Sequence, residues 1–213
     1  MEMLVELATL VTNTPWKLSR THRDRAHAVG LGDDELLHAI ALSAYFGHLN
    51  RVADATGVPL DYQVQLQPAA ADPSVPALAP APVMITARPI IDLAHRAATA
   101  AALTAWRAYV FERDAPLPRR QRTFIARWVA VWLGDGGISS PDDLTQNPLD
   151  DGLRALAEVV TLAPWQLGDH SYAELRRVGF SDAAIFDVVI TASTAGMLSR
   201  IAVALAALGR ERT

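Results

Sequence analysis

Cysteine is absent from all 213 residues, which removes disulfides, thiolate nucleophiles, iron-sulfur ligation and thiol peroxidase chemistry together. Lysine is nearly absent as well: Lys17 stands alone against eighteen arginines. With the heavy alanine usage, this is the composition of a high-GC bacterial genome and carries no mechanistic information. No broad basic field exists, since the net charge is -4 and the pI is near 5.8, so no nucleic-acid partner is expected. The one local basic cluster, Arg119, Arg120, Arg122 and Arg127 behind Pro118, reads as the solvated start of a helix. The N-terminus begins directly with an amphipathic pattern rather than the layout of an export signal, so a cytoplasmic protein is expected. The most apolar stretch, Val188 to Leu208, is interrupted by Thr191, Ser193, Thr194, Ser199 and Arg200; it reads as a buried helix, and no membrane partner is expected. There is no phosphate loop, dinucleotide fingerprint or nucleophile elbow, and no cofactor is expected.

What is present is a repeat. Leu4 to Val58 lies over Leu153 to Ala207 without a gap, at a separation of 149 residues, and sixteen of the 55 positions are identical. The matches fall where helices should end and pack: Leu7/Leu156, Val11/Val160, Thr12/Thr161, Pro15/Pro164, Trp16/Trp165, Gly30/Gly179, Asp33/Asp182, Gly47/Gly196 and Arg51/Arg200 among them. An internal duplication of a three-helix unit is the expectation.

Within the first copy, Leu4, Leu7, Ala8 and Val11 share one helical face. Ser19 is placed to cap a second helix that runs to Val29, with Gly30 as its left-handed stop, and Asp33 to cap a long third helix reaching about Thr56. The second copy predicts helices over 153–160, 168–178 with Gly179 as the stop, and 181–208. Between the copies, 67–89 carries six prolines separated mostly by alanine; such a run cannot hold a helix and reads as an extended linker. Two further helices follow, about 90–111 and 118–133, and then a loop over 134–151 rich in Gly, Asp, Ser and Pro. With no alternating polar and apolar stretch, the fold is expected to be all-α. Its organisation reads as a first helical repeat over 1–66, a linker over 67–89, and two extra helices plus the second repeat over 90–213, the halves packing as one unit.

The third helix is apolar nearly all round. Leu37, Ile40, Ala41, Ala44, Val52 and Ala55 share one face with His48 and Arg51 at its middle, while Leu42, Tyr45, Phe46 and Leu49 cover much of the opposite side. Only Ser43, Gly47, Asn50 and Asp54 make a polar or small strip. Such a helix is expected to be central and to pack against another subunit, so a homo-oligomer is expected.

The string Ala44-Tyr45-Phe46-Gly47-His48-Leu49-Asn50-Arg51-Val52-Ala53-Asp54-Ala55-Thr56-Gly57-Val58, preceded by Val29-Gly30-Leu31-Gly32-Asp33-Asp34-Glu35-Leu36, resembles the AhpD-like, peroxidase-related branch of the carboxymuconolactone decarboxylase superfamily. In that family a turn of the type A-G-[FL]-S-D leads into a long helix ending close to F-N-x-x-N-R-x-A-x-x-x-G-V. Asn50 and Arg51 match, and Gly47 stands where the first asparagine is usual. The second copy keeps Gly179, Phe180, Ser181, Asp182 and Arg200, with Ser199 in place of the asparagine. Leu117-Pro118-Arg119-Arg120-Gln121-Arg122-Thr123-Phe124-Ile125-Ala126 is similar to the family's L-P-x-R-x-R-E-L-I-A helix. The resemblance implies an AhpD-like helical fold that assembles through its long helices. It does not carry peroxide reduction over: Thr123 stands at the family's glutamate, and 134–142 holds neither the cysteines nor the histidine of the C-x-x-C-x-x-x-H motif.

The decarboxylase side of the superfamily implies acid-base chemistry on lactone acids without thiols. On that reading His48 and Arg51 are the catalytic candidates, arginine gripping a carboxylate and histidine moving a proton. His22 or Tyr45 would assist, and Tyr45, Asn50, Trp128 and Trp132 would line a pocket for a small organic acid or apolar ligand. The competing reading is structural. Arg51 and Arg200, matched in the two copies, would satisfy helix C-terminal carbonyls or pair with Asp33 or Asp182. Met197 holds the place of His48 in the second copy, and the tryptophans would pack in the core, Trp16 and Trp165 as wedges between helices. No metal site is expected, because His22 and His27 sit on a charged, solvated helix face and His38, His95 and His170 lack partners at ligand spacing. Two functions remain open: a ligand-binding or acid-base relative of the AhpD-like family, with His48 in a cavity, or a non-catalytic assembly protein, with His48 packed.

Overall fold

A computed structural model describes residues 1–58, 97–136 and 148–209. Among the described residues there are eight α-helices, two short 3-10 turns and no strand. In chain order these are α1 (Glu2–Asn13), a 3-10 turn (Pro15–Lys17), α2 (Arg20–Ala28), α3 (Asp33–Thr56), α4 (Ala97–Phe111), α5 (Arg119–Leu133), α6 (Pro148–Leu162), a 3-10 turn (Pro164–Gln166), α7 (Asp169–Arg177) and α8 (Asp182–Ala207). The chain is all-α. The second 3-10 turn, α7 and the start of α8 each stand 149 residues after the first 3-10 turn, α2 and the start of α3. The linker over 67–89, the start of the helix expected from 90, His95 and most of the loop over 134–151 fall outside the described residues.

Helix ends follow local chemistry. Gly30 (φ 86°) and Gly179 (φ 94°) turn left-handed just past α2 and α7. There the N–H of Leu31 donates to the Ala26 carbonyl (3.0 Å), and that of Phe180 to the Leu175 carbonyl (2.9 Å), closing orphan carbonyls at both helix ends in the same way. Ser181 caps α8 by accepting from the Ala184 N–H (3.2 Å). α3 differs from expectation by one position: Gly32 is the cap residue and its N–H donates to Glu35 (2.9 Å). Asp33 sits in the first turn instead, its carboxylate held by Arg23 and His27 of α2.

Two apolar clusters fill the interior, and each draws on both halves of the chain. One packs α1 and the first half of α3 against the second half of α8, through Leu7, Val11, Leu37, Ile40, Ile201 and Leu205. The other packs α5 and α6 against the first half of α8, with Trp16 and Ala55 of the first half reaching in. The central helix is therefore α8, which is buried almost continuously from Ala184 to Leu205. This corrects the expectation for α3, which lies at the edge with Leu42, Tyr45, Phe46 and Leu49 exposed at 56%, 48%, 58% and 40%. α8 is also the one helix among the described residues long and apolar enough to cross a membrane, yet 94% of its apolar window is buried inside the fold. That is the pattern of a core helix.

The basic cluster on α5 is a second correction. Arg122 is wholly buried; it donates to the Leu117 carbonyl (2.8 Å) and the Val110 carbonyl (2.9 Å) and pairs with Asp187 of α8. Arg113 reaches the other oxygen of Asp187 at 3.0 Å, and Arg120 pairs with the buried Asp150 of α6 at 2.8 Å. These partners satisfy buried charges that would otherwise cost several kcal/mol each, of order 3–5 for a broken pair. α6 accordingly begins at Pro148, inside the expected loop, because Asp150 is part of this framework.

Candidate functional site at the crossing of α3 and α8

α3 and α8 pack against each other more extensively than any other pair of helices, and the matched residues Gly47/Gly196 and Arg51/Arg200 lie on them. The Arg51 side chain folds back along α3 so that Nη1 donates to the Gly47 carbonyl at 2.8 Å, while Nε and Nη2 both reach the Thr161 carbonyl at 3.3 Å. Arg200 donates from Nε to the Thr12 carbonyl at 2.9 Å and from Nη2 to the same Thr161 carbonyl at 3.0 Å. Thr12 and Thr161 are themselves a matched pair in the last turns of α1 and α6. Carbonyls there lack helical partners and carry the negative end of the helix dipole. Glycine four residues before each arginine makes the geometry possible. A Cβ on Gly47 would stand 3.0 Å from Arg51 Nη1, and one on Gly196 would stand 2.7 Å from Arg200 Nη1.

The electrostatics are not closed by these bonds. Arg51 and Arg200 are 7% and 3% exposed, and among the described residues no carboxylate lies within ion-pair distance of either. Two like charges whose Nη2 atoms lie 3.3 and 3.0 Å from one oxygen repel each other in an interior that screens less than water does. Two helix C-termini supply together about one negative charge against two positive ones. Burial, opposed by the nearby Asp54 carboxylate, pulls Arg51 down to about 10. Burial and the neighbouring Arg51 charge push Arg200 well below the ordinary arginine range.

His48, one turn before Arg51, is 6% exposed. Its ring lies edge-on to Trp106 of α4 at 6.2 Å between centroids and beside Tyr45 at 6.4 Å, and its Nδ1 has no partner. Burial lowers its pKa, a contact with the Ser193 backbone opposes that, and the Arg51 charge adds to the lowering. The imidazole is therefore neutral at neutral pH, able to accept a hydrogen bond or a proton but without the cationic form that a general acid requires.

The structure thus brings together His48 and Arg51 and joins Arg200 to them. The other candidates lie elsewhere. Tyr45 and Asn50 are exposed on the outside of α3. Trp128 and Trp132 stack on each other at 5.8 Å in the α5–α6–α8 cluster, with the Arg154 guanidinium over the Trp128 ring at 4.7 Å. His22 bonds the Ser19 hydroxyl (2.8 Å) and faces Glu6, far from acid-base work at His48. Neither Asp33 nor Asp182 reaches the arginines; they are taken by α2 and α7. Among the described residues no group of three His, Asp or Glu side chains is placed to hold a metal ion. Sequence reasoning set Arg200 down as a structural twin and missed its convergence with Arg51 on one oxygen. The repeated G-x-x-x-R was the signal that pointed there.

Comparison with known proteins adds no relative: no family model, no curated protein and no solved structure matches this chain.

Proposed function

We propose that this chain is a soluble, cytoplasmic AhpD-like protein of the carboxymuconolactone decarboxylase superfamily, devoid of thiol peroxidase chemistry, that acts as a homo-oligomer assembled on the outer face of α3. One observation carries the reading. Leu42, Tyr45, Phe46 and Leu49 stand at i, i+3, i+4 and i+7 on α3, the spacing of a helix-packing seam, and all four are exposed. The matched positions on α8, Thr191, Thr194, Ala195 and Leu198, are buried. With the half-exposed Tyr109 of α4 the seam forms a largely apolar stripe, suited to the centre of an interface that in standard cases covers roughly 800 Å² per partner. A polar flank of Asn50 and Asp54 supplies the rim. Because the seam is a single stripe, two copies of α3 laid antiparallel bury it against itself, which is the isologous arrangement of a two-fold dimer. His48 is buried beside Trp106, off this exposed seam.

Native mass spectrometry and light scattering of the purified chain test this. The expected wild-type mass is a whole multiple of 23.0 kDa, and a Leu42→Glu, Phe46→Glu variant runs as a monomer with unchanged helical circular dichroism. A monomeric wild type, or a variant that keeps the oligomeric mass, overturns the proposal.

A further inference from the structure

Among the described residues two pairs of arginines meet on one acceptor, and they differ in what lies between them. At the first, Arg113 and Arg122 approach opposite oxygens of the Asp187 carboxylate, which bridges them. At the second, Arg51 and Arg200 converge on the Thr161 carbonyl, and no carboxylate among the described residues lies between them. Each guanidinium has five N–H donors. Backbone carbonyls take three on Arg51 and two on Arg200, leaving half the donors of the pair without a protein acceptor. Nη1 of Arg200 has none.

We infer that Arg51 and Arg200 form a binding site for the carboxylate of a small organic acid, which takes between α3 and α8 the place that Asp187 takes between Arg113 and Arg122. Charge leaves room for an anion: two buried cations face about one unit of helix-dipole charge, and the Asp54 carboxylate that acts on Arg51 is itself exposed to solvent. Distance sets the group. The Nη2 atoms lie 3.3 and 3.0 Å from one oxygen, so a carboxylate that offers one oxygen to each arginine spans the gap with ordinary charge-assisted hydrogen bonds. The unpartnered Nδ1 of His48, one turn away and more than nine-tenths buried, marks a second polar contact. The Ser193 backbone lies against the same ring, and in the tautomer that leaves Nδ1 bare this atom accepts a hydrogen bond. An acid bearing a hydroxyl group fits both contacts better than a bare fatty acid does. The site is contained within one chain and does not rest on oligomerisation.

Thermal unfolding of the full chain at fixed pH and ionic strength, with sodium chloride replaced stepwise by sodium lactate, sodium acetate or sodium phosphate, tests the inference. Lactate at about ten times its dissociation constant raises the midpoint by about 3 °C over chloride, with acetate weaker. Arg51→Met abolishes the shift, and Arg154→Met, which alters a partly buried cation over Trp128, keeps it. A second readout needs no variant: in protein labelled with 15N-arginine, lactate moves two buried Nε–Hε resonances and leaves the Arg122 resonance in place. Equal midpoints in all four salts together with unmoved resonances overturn the site. So does a lactate shift that survives in a folded Arg51→Met protein. Stabilisation by phosphate alone overturns the carboxylate assignment.

Discussion

α3 and α8 begin at matched positions and share a glycine, an arginine and three alanine or leucine positions, yet they live in opposite surroundings. α8 carries Thr191, Thr194, Ala195 and Leu198 where α3 carries Leu42, Tyr45, Phe46 and Leu49, and it is the helix with the smaller side chains that is buried. Side-chain apolarity therefore does not decide which helix is central. The neighbours decide. α5 lies along α8, and close packing of a helix on both sides demands small residues at the contact. The outer face of α3, by contrast, is left exposed, and its large side chains fit a looser and later contact. The tryptophans repeat the lesson: Trp16 packs into the α8 cluster, and its match Trp165, in the 3-10 turn beside α3, is 58% exposed.

Exchanging residues between the two helices breaks this contrast in a graded way. The largest effect belongs to Asp187 on α8. Asp187→Asn strips the charge that Arg113 and Arg122 share and should cost about 3 kcal/mol or more in urea unfolding. His38→Asn, at the matched and exposed place on α3, should stay within about 0.5 kcal/mol. Next comes Thr194→Tyr, which forces an aromatic ring into the buried face of α8 and should destabilise by about 2–3 kcal/mol. The reverse change Tyr45→Thr should leave the monomer's unfolding midpoint nearly unmoved while weakening association. Equal losses from both would erase the distinction between a core face and an assembly face. Smaller again is the glycine pair. Alanine in a helix normally gains about 1 kcal/mol over glycine, so Gly47→Ala should come out near neutral. Gly196→Ala, whose Cβ would stand 2.7 Å from Arg200 Nη1, should lose about 1 kcal/mol in the same assay.

The smallest effect is the pH response of His48→Met, which gives α3 the residue that α8 has at that register. The folded His48 has a pKa below its unfolded value of 6.5, so the unfolded chain binds the proton more readily. Its contribution is a loss of stability that sets in as pH falls through about 6.5 and levels off below the folded pKa. The variant should flatten that part of the stability–pH curve between about pH 7 and 5, and a curve of unchanged slope would show that the buried imidazole is not what responds.

The sequence was most readable where structure is local. Left-handed glycines at 30 and 179 and the long helices from about 33 and 182 all depend on neighbours within a turn, and they stand where spacing put them. Across longer distances it said less. Arg122 looked solvated because its partner Asp187 lies 65 residues on. The face of α3 was read correctly in angle, with His48 and Arg51 at the centre of the buried side, but which helix occupied the middle of the protein depended on where α5 packs. The same holds for the site. One helical turn joins His48 to Arg51, so their proximity was visible. The arrival of Arg200 at the same carbonyl depends on two helices crossing and was not.

That shared carbonyl also constrains how the chain can be divided. Arg51 is held by a residue 110 positions later, and Arg200 by one 188 positions earlier. Each half thus harbours an arginine whose acceptor belongs to the other, and contacts of such long sequence separation form late, after loop closure has been overcome. Neither fragment of a chain cut within 67–89 should attain a native fold alone, whereas the two mixed together should regain it in a single cooperative, concentration-dependent step.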